Sequence, residues 1–231
     1  MARESGLQIE FVGRASRRRG PKRAAVLALE GASVAELRLA FALAAPFDPK
    51  ALLVAVDGGL STCRAMRRRP DLFVGDLDSA HVRPRGIASC IYPAAKDFSD
   101  FSGALSEARR LGADVVVIAG LLGGRLDHEW ANLLEVGAAA GGFAGLLAPS
   151  SRGLVVVTAE GVRARTAPRR LVSDFAQGRG ARVSLRGTAW TLSKRRIAPG
   201  SLGLSNVTGD ELAMDVHEGI AVLVFPDPAL D

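Results

Sequence analysis

Cysteine is almost missing: Cys63 and Cys90 are the only two in 231 residues. Two cysteines cannot build the disulfide framework of a small secreted scaffold. With His81, His128 and His217 far apart in sequence, they do not make a zinc motif either. Aromatic residues are scarce at 5%, with one tyrosine, and no basic run is interleaved with them. That argues against a stacking platform for single-stranded nucleic acid. No apolar run approaches the roughly 18 residues that span a bilayer. The run Ala24–Leu29, which follows a basic N-terminus, is too short for a signal-peptide core. The expectation is a cytoplasmic protein with no membrane and no nucleic-acid partner.

What is present is ordinary for a folded chain. Hydrophobic residues make up 48% and charged residues 23%, and the length suits one large or two small domains. The net charge of +6 is unevenly spread. Residues 1–23 hold seven basic and two acidic side chains, while the remaining 208 hold 23 basic and 22 acidic. A basic N-terminal extension over 1–23 reads either as an anion-seeking arm or as a solvated, arginine-rich flank.

From residue 24 onward, short apolar runs alternate with helical patterns. Ala24–Glu30, Leu52–Val56, Leu72–Val74 and Val115–Ala119 read as buried strands. Val34–Ala44 reads as a helix with Ser33 as its N-cap, and Phe98–Leu111 and Leu126–Ala140 read as two more. This alternation predicts an α/β domain over 24–148 with a mostly parallel sheet. Residues 141–153, rich in Gly, Ser and Ala, read as a linker or loop. Beyond them, Leu154–Thr158, Arg182–Leu185, Glu211–Val216 and Ile220–Phe225 are short β runs with no long helical pattern. A smaller all-β sandwich or barrel is therefore expected over 149–231.

Ligands of parallel α/β sheets sit beyond the carboxyl ends of the strands, and that is where the chemistry-bearing residues fall. Asp57, in Asp57-Gly58-Gly59, follows the second strand. Asp76 and Asp78 follow the third, two residues apart, so in extended chain their carboxylates point the same way. Such a pair suits Mg²⁺ shared with substrate phosphates, or else an Asx turn. Lys96-Asp97-Phe98-Ser99-Asp100 opens a helix. There Asp97 or Ser99 is a cap, Asp100 projects toward the same site and Lys96 is a phosphate contact. Gly120–Gly124 joins a strand to a helix, where free N–H groups and the helix N-terminus favour an anion. Arg125 would clamp a phosphate, with Asp127 and His128 in the first helical turn. The same loop also reads as a glycine turn with an Asp cap. It is not a Walker A loop, because no G-K-[ST] follows. Together these loops carry the equipment of metal-assisted phosphoryl or pyrophosphoryl transfer.

Taken in order, five segments resemble the signature of the thiamine pyrophosphokinases. They are Asp57-Gly58-Gly59, Pro70–Ser79 (PDLFVGDLDS), Lys96–Asp100, Gly123–His128 (GGRLDH) and Gly203-Leu204-Ser205-Asn206. The resemblance covers roughly residues 24–226 and implies a homodimer with its active site near the interface. It implies Mg²⁺-dependent transfer of the terminal pyrophosphate of ATP to the hydroxyethyl oxygen of thiamine, giving thiamine diphosphate and AMP. By the same resemblance Asp76, Asp78 and Asp100 hold the metal and carry catalysis. Asp57, Ser79, Lys96, Arg125, Asp127 and His128 bind nucleotide, and Ser205 and Asn206 bind thiamine. Asp100 or Asp76 would accept the alcohol proton. Ser99 stands where the family commonly has threonine, and Leu29-Glu30-Gly31-Ala32 replaces the usual Asn-Gly. The aromatic that some members carry near the chain's end has no counterpart in Gly219–Val222. The alternative reading is a related Mg²⁺-dependent phosphotransferase or phosphohydrolase acting on another alcohol or nucleotide.

Overall fold

The structure is a computed structural model that describes residues 7–13, 22–76 and 84–226. Along the chain run β1 (Gln8–Phe11), β2 (Ala24–Ala28), α1 (Val34–Ala44), β3 (Leu52–Val56), α2 (Gly59–Ala65), β4 (Leu72–Gly75) and β5 (Ala88–Ile91). There follow α3 (Asp100–Arg110), β6 (Val115–Ala119), α4 (Leu126–Ala139) and β7 (Gly145–Ser150). The chain closes with β8 (Gly153–Thr158), β9 (Gly161–Arg165), β10 (Leu171–Thr188), β11 (Leu192–Ile197) and β12 (Gly203–Phe225). Two compact units form: residues 20–135 with 147–150, and the rest of the chain. Strand pairing is mixed, so the fold is a sheet-rich α/β fold. Among the described residues no helix is long and apolar enough to cross a membrane.

In the first unit, β2 and β6 are five-residue apolar runs buried at every position. A strand needs that pattern when both of its faces are covered. β2 pairs in parallel with β3 (Ala25 opposite Leu52) and with β6 (Ala24 opposite Val115). β3 continues to β4 and β4 to β5, both in parallel. The chain therefore steps one way from β2 to β5 and then returns to the other side of β2 as β6. Parallel pairing puts the carboxyl ends of all five strands on one edge. The reversal beside β2 is the kind of place where α/β sheets bind ligands.

The helices are fixed by their caps. At α1, Ser33 accepts from the Glu36 N–H at 3.1 Å and Glu36 accepts from the Ser33 N–H at 2.9 Å, a reciprocal capping box. The helix expected from Phe98 starts at Asp100, because Ser99 takes the cap and accepts from the Ser102 N–H at 2.9 Å. Phe98 is thereby released from the helix face. It packs edge-on against Tyr92, with ring centroids 5.0 Å apart.

In the second unit, β12 pairs antiparallel with β8 and β9, and β10 pairs antiparallel with β11. Along β10 the partners on β12 recede as the strand advances: Asp174 faces Leu223, Ala176 faces Ala221 and Leu185 faces Met214. Two segments read differently from sequence. Residues 145–150, placed in the expected linker, form β7, which is buried throughout because Leu146, Leu147 and Ala148 outweigh the flanking turn residues. Residues 8–11, inside the basic extension, form β1 against β9, with Gln8 opposite Arg165. Phe11 anchors that strand, its ring filling the space a side chain at Gly145 would need.

Gly59, first residue of α2, is where packing admits no side chain. A Cβ there would lie 1.9 Å from the Ala28 carbonyl oxygen, against a backbone that cannot yield. At Gly124 nothing comes within 4 Å of such a Cβ. Gly59→Ala is expected to lower unfolding free energy by roughly 1–3 kcal/mol, and Gly124→Ala by less than about 0.5 kcal/mol. Urea denaturation measures both, and equal losses would contradict the packing account.

Candidate active site

The carboxyl edge of the first unit brings two acids, Asp76 and Asp100, onto one ammonium, with Asp57 near enough to act on Asp100. Asp57 follows β3 with φ +45, a left-handed backbone uncommon outside glycine, and its N–H donates to the Val74 carbonyl at 2.8 Å. Asp76 follows β4. The segment carrying Lys96 is tied down by the Tyr92 N–H, which donates to Gly75 O at 3.1 Å, and by the Tyr92–Phe98 contact. Lys96 Nζ lies 3.1 Å from Asp76 Oδ2 and 3.3 Å from Asp100 Oδ1, and the three side chains are only 8%, 13% and 17% exposed.

Burial and the neighbouring charges together set the protonation behaviour of Lys96 and Asp100. Burial pulls the Lys96 ammonium toward neutrality, but its ion pairs with Asp76 and Asp100 outweigh this and hold its pKa above the ordinary value. For Asp100 burial is the leading cause and pushes the pKa up. Lys96 opposes that, and the charges of Asp76 and Asp57 add to it. Lys96, expected to face phosphate, is paired here with Asp76 and Asp100.

The donor chemistry suits a hard divalent cation: converging carboxylate oxygens, largely buried, with uncompensated charge. Asp76 and Asp100 already share one cation, the Lys96 ammonium. Among the described residues, no group of three or more His, Cys, Asp or Glu side chains is placed to hold a metal. The three-acid set read from sequence includes Asp78, which with Ser79 lies outside the described residues.

The glycine-rich loop leaves β6 on the same edge. Gly120 is held against the turn after β2, where a Cβ would lie 2.8 Å from the Ala32 nitrogen. Gly123, at φ +102, donates its N–H to Glu129. Arg125 is exposed and grips Asp127 with two hydrogen bonds, Nε to Oδ1 at 3.2 Å and Nη2 to Oδ2 at 2.6 Å. The His128 N–H also donates to Asp127 Oδ1, at 3.1 Å. Asp127 therefore organises the first turn of α4 and holds the guanidinium at the mouth of the loop. Glu30, after β2, lies over Gly58 and adds to the negative field at Arg125.

Ser205 and Asn206 belong to the second unit and lie on β12. Ser205 is exposed and left-handed (φ +60), and its N–H donates to Ser173 Oγ at 3.1 Å. Asn206 is buried, and its amide is fully committed. Its Oδ1 accepts from the Trp190 N–H at 3.0 Å and the Val207 N–H at 2.9 Å. Its Nδ2 donates to the Trp190 carbonyl at 2.8 Å and to the Asp174 carboxylate. Asn206 thus works as a clamp on Trp190. The cleft beside it, about 70 Å³, is lined by Asp174, Trp190, Leu192, Leu202, Leu204 and Asn206. Sequence reasoning missed Trp190 and Asp174. The available signals were a tryptophan in an aromatic-poor chain and an acid inside the apolar run Leu171–Ala176.

Comparison with known proteins bears on both units. The structure resembles the thiamine pyrophosphokinase of Bacillus subtilis, with TM-score 0.70, 19% identity, and coverage of 87% of this chain and 98% of that one. It resembles the enzyme of Geobacillus thermodenitrificans, with TM-score 0.69, 21% identity and coverage of 88% and 97%. It also resembles that of Candida albicans, with TM-score 0.68, 12% identity and coverage of 89% and 90%. These likenesses define the class of fold. A comparison with curated proteins yields no match. Residues 45–139 match the family model described as "Thiamin pyrophosphokinase, catalytic domain", the stretch that carries Asp57, Asp76, Lys96, Asp100 and Arg125. Over that stretch the chain is similar to the catalytic domain of the thiamin pyrophosphokinase family.

The raised pKa of Asp100 carries a stability consequence. The folded state binds that proton more tightly than the unfolded chain does. The contribution to stability is therefore full below the unfolded pKa and is lost as pH rises through the folded one. Without divalent cations, Asp100→Asn is expected to raise Tm by a few degrees at pH 7, with the gain shrinking as pH falls. Scanning calorimetry across pH tests this, and a lower Tm for the variant at pH 7 would contradict it.

Proposed function

We propose that the protein is a thiamine pyrophosphokinase, transferring pyrophosphate from ATP to the hydroxyethyl group of thiamine with release of AMP. The observation that carries this reading is the convergence of Asp76 and Asp100 on one cation, beside Asp57, inside the segment with the family's catalytic-domain match. Asp76 and Asp100, joined by Asp78, are the residues that would hold Mg²⁺. When bound, the metal would offset charge on the transferred phosphates and favour in-line attack. The chain's own groups do the rest by positioning. Lys96 keeps its positive charge at the acid cluster, and Arg125, Asp127, His128 and Ser79 form the nucleotide side. Asp76 or Asp100 receives the hydroxyl proton as the new P–O bond forms and the bond to AMP breaks.

In this reading residues 24–148 are the catalytic domain. Residues 149–231 are a β-sandwich domain that seats thiamine at Ser205 and at the cleft clamped by Asn206. A cleft of about 70 Å³ is well below the roughly 300 Å³ of a complete small-molecule site. The remaining wall comes from a second copy of the chain in a homodimer. α4 supports this arrangement, since Leu126, Trp130 and Leu134 form an exposed apolar stripe one turn apart, with Trp130 67% exposed. The two free cysteines fit a reducing, cytoplasmic compartment.

The direct assay mixes folded protein, Mg·ATP and thiamine and follows AMP and thiamine diphosphate. Asp76→Asn is expected to cut turnover roughly a hundredfold or more while the fold persists. No product above a no-enzyme control would sink the reading. ATP breakdown that ignores thiamine would favour the phosphohydrolase alternative. Trp130→Glu is expected to shift the light-scattering mass from dimer to monomer. An unchanged dimer mass would remove α4 from the interface.

A further inference from the structure

Asp174 has no evident structural reason to be charged. It lies on β10, 4% exposed, with its carboxyl packed against Gly203, where a Cβ would come within 2.6 Å of Asp174 Oδ1. Asn206 donates to it, but among the described residues no Lys, Arg or His side chain pairs with it. An isolated carboxylate in such a place is costly, and an apolar residue would fill the space at lower cost. Yet Asp174 opens into the cleft formed by Trp190, Leu192, Leu202 and Leu204, which is otherwise apolar apart from Asn206.

The other side of the cleft explains what the charge is for. Trp190 is 64% exposed, although its backbone is held at both N–H and C=O by Asn206. An exposed indole on an anchored backbone presents a flat, electron-rich face, and such faces attract cations and aromatic rings. A buried carboxylate without a counter-ion, beside an exposed indole and leucine side chains, is complementary to a flat ring that carries positive charge. We propose that Asp174 is a specificity-determining residue that selects the positively charged heteroaromatic ring of the alcohol substrate, with Trp190 as its stacking wall. The proposal rests on the thiamine reading above, because the thiazolium of thiamine is a flat ring of this kind. Asn206 is a positioning residue in this scheme, joining the two through one side-chain amide.

The test uses the full chain and compares binding of thiamine with that of a neutral isostere in which a thiophene replaces the thiazolium. Tryptophan fluorescence or calorimetry reads affinity. The wild type is expected to prefer thiamine by about tenfold or more. Asp174→Asn should weaken thiamine by about that factor and leave the isostere unchanged, so that the preference collapses. Trp190→Leu should weaken both ligands alike. A wild-type ratio near one, or an undiminished ratio in Asp174→Asn, overturns the proposal. The wild-type ratio decides the matter even if Asp174→Asn fails to fold. Folded wild type that binds neither compound overturns the thiamine reading itself, a result distinct from binding both equally.

Discussion

Like charges held close together at the end of a sheet are the constraint around which the first unit is arranged. Asp76 and Asp100 share one ammonium, Lys96, in a largely buried place, and burial, with the charges of Asp76 and Asp57 adding to it, raises the pKa of Asp100. Such a cluster holds only if the surrounding backbone cannot relax away from it. Wholly buried β2 and β6 supply that rigidity, together with β3 and the close approach of Gly59 to the end of β2. The left-handed Asp57 is a local cost that this frame bears. An observed strain of that kind at the end of a strand, facing other acids, is what a site built for an external cation would store.

The second unit solves a different problem, presenting an aromatic wall without burying it. Asn206 spends every donor and acceptor of its amide, two contacts on the Trp190 backbone, one on Val207 and one on Asp174. A saturated, buried amide is a rigid link. It ties the backbone of Trp190 to the carboxyl of Asp174 beside one cleft. The two units thus differ in charge: one carries an acid-rich strand edge, the other an apolar cleft with one acid.

Much of this was legible in the sequence because the signals were local. Runs such as Val115–Ala119 specify a doubly covered strand by composition alone, and Ser33 with Glu36 specifies a helix start. The positions of Asp57, Asp76 and Arg125 at strand ends followed from the same periodicity. What was not legible depended on partners distant in sequence. β7 looked like a linker, because Gly145, Pro149 and Ser150 masked a short apolar run that pairing makes a strand. Nothing local around Lys96 says that Asp76, twenty residues earlier, will face it. Nor does anything local around Asn206 say that its amide will hold a tryptophan sixteen residues away. The net charge of +6 pointed toward polyanions, whereas the informative charges are a few acids.

The central claim is that the carboxylates at the strand ends form one cation site serving the nucleotide. Anomalous diffraction from crystals grown with Mn²⁺ and a non-hydrolysable ATP analogue tests it most directly. The account predicts an anomalous peak within ligand distance of both Asp76 and Asp100, with the analogue's phosphates beside it and the glycine loop of Gly120–Arg125 facing them. Bound analogue with the metal elsewhere, or Lys96 still seated between the two carboxylates and no peak there, would contradict it.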